Sequence, residues 1–166
     1  MSVRDARLED ADAIADVHVR TWQGAYGHVF AAEKLGGISV ERRVVGWRRQ
    51  LDEPQPRTHV LVAEDELGVR GFASCGPAED DVGLGELYAI YVLPEAWGAG
   101  HGRALMAAVL ERLRGEGFPE AILWVLEDNP RTRRFYEEGG WRLNGEPREV
   151  TFLETPVRVV RYRIAL

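Results

Sequence analysis

The sequence predicts a single α+β domain, residues 1–166, built around one mixed β-sheet. In the middle of the chain a strand, a helix and a second strand follow one another, an order that favours a parallel strand pair. Segments with hairpin spacing lie on either side of this unit and predict antiparallel neighbours. With 166 residues, 45% of them hydrophobic, the chain can bury a core without a disulfide or a structural metal.

The amino-terminal part is predicted to hold one short strand and two helices. Residues 3–8 are predicted as the strand, and the acidic Glu9 and Asp10 suit the start of the helix that follows. One side of this helix is marked by residues at steps of three and four: Ile14, Val17, His18, Thr21 and Trp22. After a stretch broken by glycines, Ser39 caps a second helix, which Pro54 ends.

The middle of the chain changes to the period of two that is typical of strands. Strands are predicted at residues 59–63, 71–75, 86–93 and 121–126, and the third is apolar enough to be covered on both faces. A helix over residues 102–114 joins the last two strands. Asp128 or Asn129 caps a further helix, which has Pro130 in its first turn.

The closing part of the chain is predicted to add antiparallel strands. Extended stretches at residues 141–143, 149–153 and 157–164 supply them, and Pro156 separates the last two. The predicted order is β-α-α-β-β-β-α-β-α-β-β. The sequence therefore predicts a mixed, mostly antiparallel sheet flanked by helices.

Composition excludes several classes of function. The 21 basic and 27 acidic residues give a net charge of −6, which argues against nucleic acid and anionic membranes as partners. Cys75 is the only cysteine, so an intramolecular disulfide and a cysteine-based zinc site are excluded. The four histidines lack metal-ligand spacing, and we expect no metal. Because the start of the chain has no signal-peptide pattern and no apolar run suits a membrane span, we expect a cytoplasmic location.

The strongest chemical motif is a glycine-rich loop between the central strand and the helix that follows it. Gly98, Gly100 and Gly102 let the main chain approach a ligand, and the free N–H groups at the start of the helix suit a phosphate or pyrophosphate. The alternative is a loop that needs glycine only for flexibility. A dinucleotide fingerprint would need glycine where Arg103 stands, and the chain has no Gly-Lys pair for a P-loop.

Two motifs together resemble the GNAT superfamily of N-acetyltransferases. The family's Q/R-x-x-G-x-G/A loop is similar to residues 97–102, with Trp97 where Gln or Arg is usual. Its second motif is an asparagine followed by a helix with Phe-Tyr and a Gly-aromatic stop. This is similar to Asn129, Phe135-Tyr136 and Gly140-Trp141. The resemblance extends over essentially the whole chain.

The resemblance implies the acyl-CoA N-acyltransferase fold, with a splayed parallel pair of central strands. It implies transfer of an acetyl group from acetyl-CoA to a primary amine by direct attack in a ternary complex, without a metal. It also implies a homodimer as the assembly. The alternative function is a non-catalytic acyl-CoA-binding sensor of the same fold. The acceptor stays open among small amines, amino acids, antibiotics and peptide N-termini.

By the same resemblance, acetyl-CoA would be bound mainly through main-chain groups. The pantetheine arm would lie along Ile90, Tyr91 and Val92, with the Ile90 N–H polarising the thioester carbonyl. The pyrophosphate would be held by residues of the loop and the helix start: Gly98, Gly100, Gly102, Arg103 and Ala104. Asn129 would contact pantetheine or only cap its helix. The cluster Arg131, Arg133 and Arg134 is either a solvated helix face or a contact for the 3′-phosphate of CoA.

Catalytic and substrate-binding residues are also implied. Tyr136 matches the general acid toward the CoA thiolate, with a half-buried core aromatic as the alternative. Glu86 is the candidate general base, acting directly or through water, although a carboxylate at a strand end is commonly solvated.

Tyr88 and Tyr91 are alternative bases, and Glu127 and Asp128 are weaker ones. Trp22 and Tyr26 would lie beside the amine, with core packing as their alternative, and Tyr88 is grouped with them as substrate-binding.

Overall fold

The computed structural model describes all 166 residues as eight strands and five α-helices. The strands are β1 Ser2–Asp5, β2 His59–Asp65, β3 Gly68–Pro77, β4 Gly85–Val92, β5 Glu120–Leu126, β6 Arg142–Leu143, β7 Arg148–Phe152 and β8 Thr155–Ala165. The helices are α1 Ala11–Ala25, α2 Ala32–Gly36, α3 Val40–Asp52, α4 His101–Gly115 and α5 Pro130–Glu138. No helix combines the length and the apolar character needed to cross a bilayer.

One mixed sheet joins all the strands in the order β1-β2-β3-β4-β5-β8-β6, with β7 also paired to β8. The pair β4 and β5 is parallel and every other pair is antiparallel. Helix α4 makes the crossover between the two parallel strands. The structure therefore confirms the predicted parallel pair with antiparallel neighbours on both sides.

Helices cover both faces of the sheet. Side chains of α4 and α5, such as Leu105 and Tyr136, share one core cluster with Leu61 of β2. On the opposite face, Ile14 of α1 and Trp47 of α3 pack against Val62. Since successive strand residues point to opposite faces, β2 is buried on both sides.

The order of elements differs from the prediction by a short helix, α2; all three predicted closing stretches form strands, one more than the predicted order counted. Strand β1 also ends at Asp5, not at residue 8, because the chain turns into a 3₁₀ helix at Leu8–Asp10. The Asp10 carboxylate holds this turn by accepting from the Arg7 main-chain N–H at 2.7 Å and from the Arg4 guanidinium at 2.7 Å.

Pro156 does not separate the last two strands, because it lies inside β8. The turn between β7 and β8 is made by Leu153 and Glu154, which both have positive φ values, 47° and 58°. Pro156 is tolerated because β7 and β8 form the sheet edge at this point, where a ladder N–H can be spared.

Side-chain caps fix the starts of two helices. Ser39 Oγ accepts a hydrogen bond from the Arg42 N–H at 3.2 Å, which confirms the predicted start of α3. Asn129, and not Asp128, caps α5, since its Oδ1 accepts from the Thr132 N–H at 3.3 Å.

Candidate functional site

The parallel strands β4 and β5 pair over only three residues and then part. Gly85, Glu86 and Leu87 face Ala121, Ile122 and Leu123, and no pair follows. The parted strands border a cleft with a volume of about 970 Å³. Of the predicted site residues, Glu86 and Ala104 lie outside the lining, as do the alternatives Arg133 and Glu127, and the others line the cleft. The second half of β4 still packs on both faces, with Ile90 against one core cluster and Tyr91 against the other, while its unpaired edge forms a wall of the cleft.

In the parted stretch of β4, alternate residues direct their main chain into the cleft. The Leu93 N–H donates to the Arg70 carbonyl of β3 at 2.9 Å, and the antiparallel register continues through Tyr91 opposite Phe72. Hydrogen-bonded and free positions alternate along such a ladder. Ile90 and Val92 thus turn their N–H and C=O groups away from β3, towards the gap. Tyr91 bonds to β3 and contributes its side chain to the cleft.

The glycine-rich loop presents a row of main-chain N–H groups that have no acceptor within the protein. They belong to Gly98, Gly100, His101, Gly102 and Arg103. Gly98 and Gly100 have φ values of +81° and +93°, a conformation that favours glycine. The first N–H of α4 with a main-chain acceptor is that of Ala104, bonded to the Gly100 carbonyl at 3.0 Å. Ala104 therefore has no free N–H to offer. We call residues 97–103 the amide end of the cleft.

Trp97 and Arg131 meet across the cleft beside this row of N–H groups. The Arg131 guanidinium lies over the Trp97 ring, 3.4 Å from its centre, and makes no hydrogen bond or ion pair. The Trp97 indole N–H in turn donates to the Val92 carbonyl at 2.8 Å. Trp97 thereby occupies the carbonyl of Val92, whereas the main-chain groups of Ile90 stay open to the cleft. Arg131 of α5 thus places a cation next to the loop, which has Trp97 at the motif position where Gln or Arg is usual.

The charge of the cleft lining is weighted towards cations. Arg103, Arg131 and Arg134 line it, whereas its carboxylates are Asp128 and Glu138. With the free N–H groups and the positive end of α4, this arrangement can bind an anion. No group of three or more His, Cys, Asp or Glu side chains is arranged to hold a metal ion.

Tyr136 lies in the cleft wall with a phenol that has no hydrogen-bond partner in the protein. Its side chain belongs to the buried core cluster that α4 and α5 share with the sheet, and it also lines the cleft. Burial, together with nearby Tyr91, raises the pKa of the Tyr136 phenol above its ordinary value. The phenol therefore keeps its proton at neutral pH.

Glu86 lies where β4 is still paired on both sides, outside the cleft lining. Its carboxylate accepts from the Glu79 N–H at 3.3 Å. Burial raises the pKa of the Glu86 carboxyl more than the hydrogen bond from the Glu79 N–H lowers it, and the charges of Glu79 and Asp80 also raise it. The next side chain on the way to the cleft is Tyr88, whose phenol donates to the Pro77 carbonyl. The Glu86 carboxylate could exchange a proton with a group in the cleft only through Tyr88 or through water.

The opposite end of the cleft is formed by aromatic side chains. Trp22 of α1 and Tyr26, directly after α1, contact each other with ring centres 4.5 Å apart, and Phe152 of β7 stacks on Trp22 at 4.6 Å. Tyr88 and Trp124 follow the last paired residues of β4 and β5. We call this group of five side chains the aromatic end. Trp22 and Tyr26 are nearly buried, so their core-packing role is confirmed, and contact with a substrate stays a prediction.

Sequence reasoning missed the contribution of the β7–β8 hairpin. One face of it lines the cleft with Val150, Phe152, Val157 and Val159. The alternation along a strand specifies which side chains share a face of the hairpin. It did not indicate what that face would contact.

The sequence profile of the Acetyltransferase (GNAT) family matches residues 13–141. The chain belongs to this family. It is 40% identical over 121 residues to the uncharacterized N-acetyltransferase YuaI of Bacillus subtilis (strain 168), which covers 71% of this chain and 67% of that protein. As a GNAT family member, the chain is an acyltransferase.

Solved structures share the fold at lower sequence identity. PaiA N-acetyltransferase from Thermoplasma acidophilum, in complex with coenzyme A, superimposes with a TM-score of 0.77 at 17% identity, over 99% of this chain and 98% of that one. The ribosomal-protein-alanine N-acetyltransferase from Brucella melitensis gives a TM-score of 0.74 at 24% identity, over 100% of both chains. These likenesses confirm the predicted GNAT fold.

Proposed function

We propose that this protein transfers an acetyl group from acetyl-CoA to a primary amine by direct attack within a ternary complex. The observation that supports this most strongly is the union, in one cleft, of five N–H groups without acceptors and an open main-chain edge at Ile90. The first feature suits a pyrophosphate and the second suits an extended amide-containing arm. Acetyl-CoA combines both, together with a reactive thioester.

The residues present fit acetyl-CoA at each point. Loop glycines leave room at the N–H row, since a Cβ built on Gly98 would contact no atom within 4 Å. Arg131 supplies a free cation nearby. Asn129 lines the cleft, and only its Oδ1 is used by the helix cap. The fold neighbour PaiA has coenzyme A bound, and the neighbour yncA from Salmonella typhimurium contains acetyl-CoA.

We assign to Tyr136 the role of general acid. A departing CoA thiolate needs a proton, and a phenol without a partner in the protein is free to give it. The raised pKa of Tyr136 keeps the proton in place until the thiolate forms. The Ile90 N–H is our candidate for stabilising the oxygen of the thioester carbonyl as charge develops there.

Proton removal from the amine is assigned to Glu86 acting through water or Tyr88. Burial raises the pKa of its carboxyl, which makes Glu86 a stronger base than an exposed glutamate. Cys75, the only thiol, is fully buried, and its pKa is raised to about 12, so it does not compete as a covalent nucleophile. This supports direct attack of the amine.

A calorimetric titration with acetyl-CoA tests the donor, and thiol release in the presence of a panel of amines tests the transfer. We expect saturable heat with acetyl-CoA and amine-dependent release of CoA. No heat and no thermal shift would overturn the proposal. Preserved binding, with no transfer to any amine and with Tyr136 and Glu86 both dispensable for binding, would favour the acyl-CoA sensor.

We further propose that residues 1–166 form one N-acetyltransferase domain that acts in the cytoplasm as a homodimer. These expectations come from the family resemblance. Light scattering of the purified protein tests the assembly, and a monomer mass would contradict it.

A further inference from the structure

We propose that the acceptor of this enzyme is an apolar primary monoamine, an alkyl or arylalkyl amine that carries no second positive charge. The proposal rests on the proposed function, because it assumes that the amide end and the edge of Ile90 hold the acetyl donor. The aromatic end is then the part of the cleft left for the amine. Its surface and charge decide what can enter.

The surface of the aromatic end is apolar and partly open. Val150 and Val157 pair directly across the β7–β8 hairpin, and their cleft-facing side chains continue into Phe152 and Val159. Phe152 stays 39% exposed although it stacks on Trp22. Tyr88, at 44% exposed, faces the cleft from β4. A ligand that covers these two rings would remove apolar surface from water, which favours an apolar body.

The charges around the aromatic end disfavour a second ammonium group. The guanidinium of Arg148 lies 4.0 Å from the centre of the Trp124 ring, and that of Arg161 lies 5.8 Å away. Arg148 also neutralises Asp80, with a separation of 3.3 Å. The carboxylates that line the cleft offer little to a cation: Asp128 has a side chain that is 77% exposed and lies beside His28, and Glu138 is exposed on α5.

An apolar site also suits the reaction itself. Only the neutral amine has the lone pair that attacks the thioester, and transfer from water to an apolar surface disfavours the ammonium form. One amine can still be held by the faces of aromatic rings before it loses its proton. A second ammonium in the same place would have no carboxylate beside it in the lining, because Glu86, the base proposed above, lies behind Tyr88 and outside the cleft.

The test compares n-hexylamine with 1,6-diaminohexane, which differ in one terminal amine, and includes phenethylamine as an aromatic probe. Thiol release is measured with saturating acetyl-CoA, and acetyl-CoA binding is measured separately by calorimetry. We expect kcat/KM for hexylamine and phenethylamine to exceed that for 1,6-diaminohexane by about tenfold or more. Equal or better use of the diamine would overturn the inference.

Phe152→Glu sharpens the test because it adds a carboxylate to the aromatic end at a half-exposed position. We expect this variant to shift the preference towards the diamine by about tenfold, with acetyl-CoA affinity unchanged. Leu67→Glu, at the exposed β2–β3 turn, is the matched control and should keep the wild-type preference. A thermal melt establishes that both variants are folded.

The outcomes separate this inference from the proposed function. If the wild type did not bind acetyl-CoA, the proposed function itself would be rejected. Binding of acetyl-CoA with no transfer to any of the three amines would reject only the inference, as would a preference that Phe152→Glu leaves unchanged.

Discussion

The two ends of the cleft are built from different chemistry. The amide end acts through main-chain N–H groups of residues 97–103, beside which Arg131 of another helix places a cation over Trp97. The aromatic end acts through side chains from α1, β4, β5 and β7. The comparison teaches that a ligand common to a family can be held by the backbone, whereas a ligand particular to one member has to be selected by side chains.

Tyr136 lies in the wall between the two ends, and Tyr136→Phe should have the largest effect. Removal of the donor proton is expected to lower kcat by about 100-fold or more, with acetyl-CoA affinity nearly intact. Steady-state kinetics and calorimetry measure the two effects. Tyr162→Phe is the matched control, because that phenol bonds to Glu137 and Arg133 and lies outside the cleft lining. An unchanged rate in Tyr136→Phe would remove this residue from the mechanism.

Gly100→Ala tests whether the amide end depends on backbone conformation. A Cβ at φ +93° is strained, and relief of that strain would rotate the free N–H groups out of line. We expect acetyl-CoA affinity to fall by about tenfold, as measured by calorimetry. Gly115→Ala, at the far end of α4, meets open space and should bind normally. Equal affinity in both variants would mean that the N–H row does not hold the donor.

Arg131→Ala removes the cation that lies over the Trp97 ring beside the glycine-rich loop. The expected loss of acetyl-CoA affinity is about fivefold, and the dependence of affinity on salt should become weaker. Arg142→Ala removes an exposed arginine outside the cleft and is the control. If both variants bind alike at low and high salt, Arg131 only packs on Trp97.

Glu86→Gln should have the smallest effect on turnover, about threefold to tenfold, because the carboxylate does not touch the cleft. The acidic limb of the pH–rate profile should disappear if Glu86 is the base. A rate profile identical to that of the wild type would exclude it.

The same variant has a predicted effect on stability. Since burial raises the pKa of Glu86 from its ordinary value of 4.5, the folded protein binds this proton more tightly than the unfolded chain does. As the pH rises above 4.5 and through the raised pKa, Glu86 ionises in its buried site, and the free energy of unfolding of the wild type therefore falls. Gln does not titrate, so its stability advantage should grow over that range in urea unfolding. A constant difference between the two proteins would contradict the raised pKa.

Much of the fold could be predicted because its signals are local. Ser39, Asn129 and Pro130 mark helix starts by capping chemistry that needs no distant partner. The end of β1 was predicted wrongly because a distant residue acts there: Arg4 pairs with both Asp10 and Glu64 of β2. The prediction that Pro156 separates two strands is wrong because the sequence does not reveal that this residue lies at a sheet edge.

The candidate site divides in the same way. The glycine loop, Asn129 and Tyr136 could be found from residue type and spacing, since each depends on a short segment of chain. The Arg131 contact with Trp97 joins residues 34 positions apart and could not be found in this way. The position of Glu86 outside the cleft depends on how many residues β4 and β5 pair before they part.

By itself the sequence determined the strand–helix–strand unit and the glycine-rich turn, because backbone conformation and helix capping are set by neighbouring residues. Only the tertiary structure decided how far the parallel strands stay paired, which alternate N–H groups face the gap, and which side chains surround an amine. These features depend on register and on packing between distant segments. A shift of one residue in register would exchange every main-chain group and side chain at the cleft.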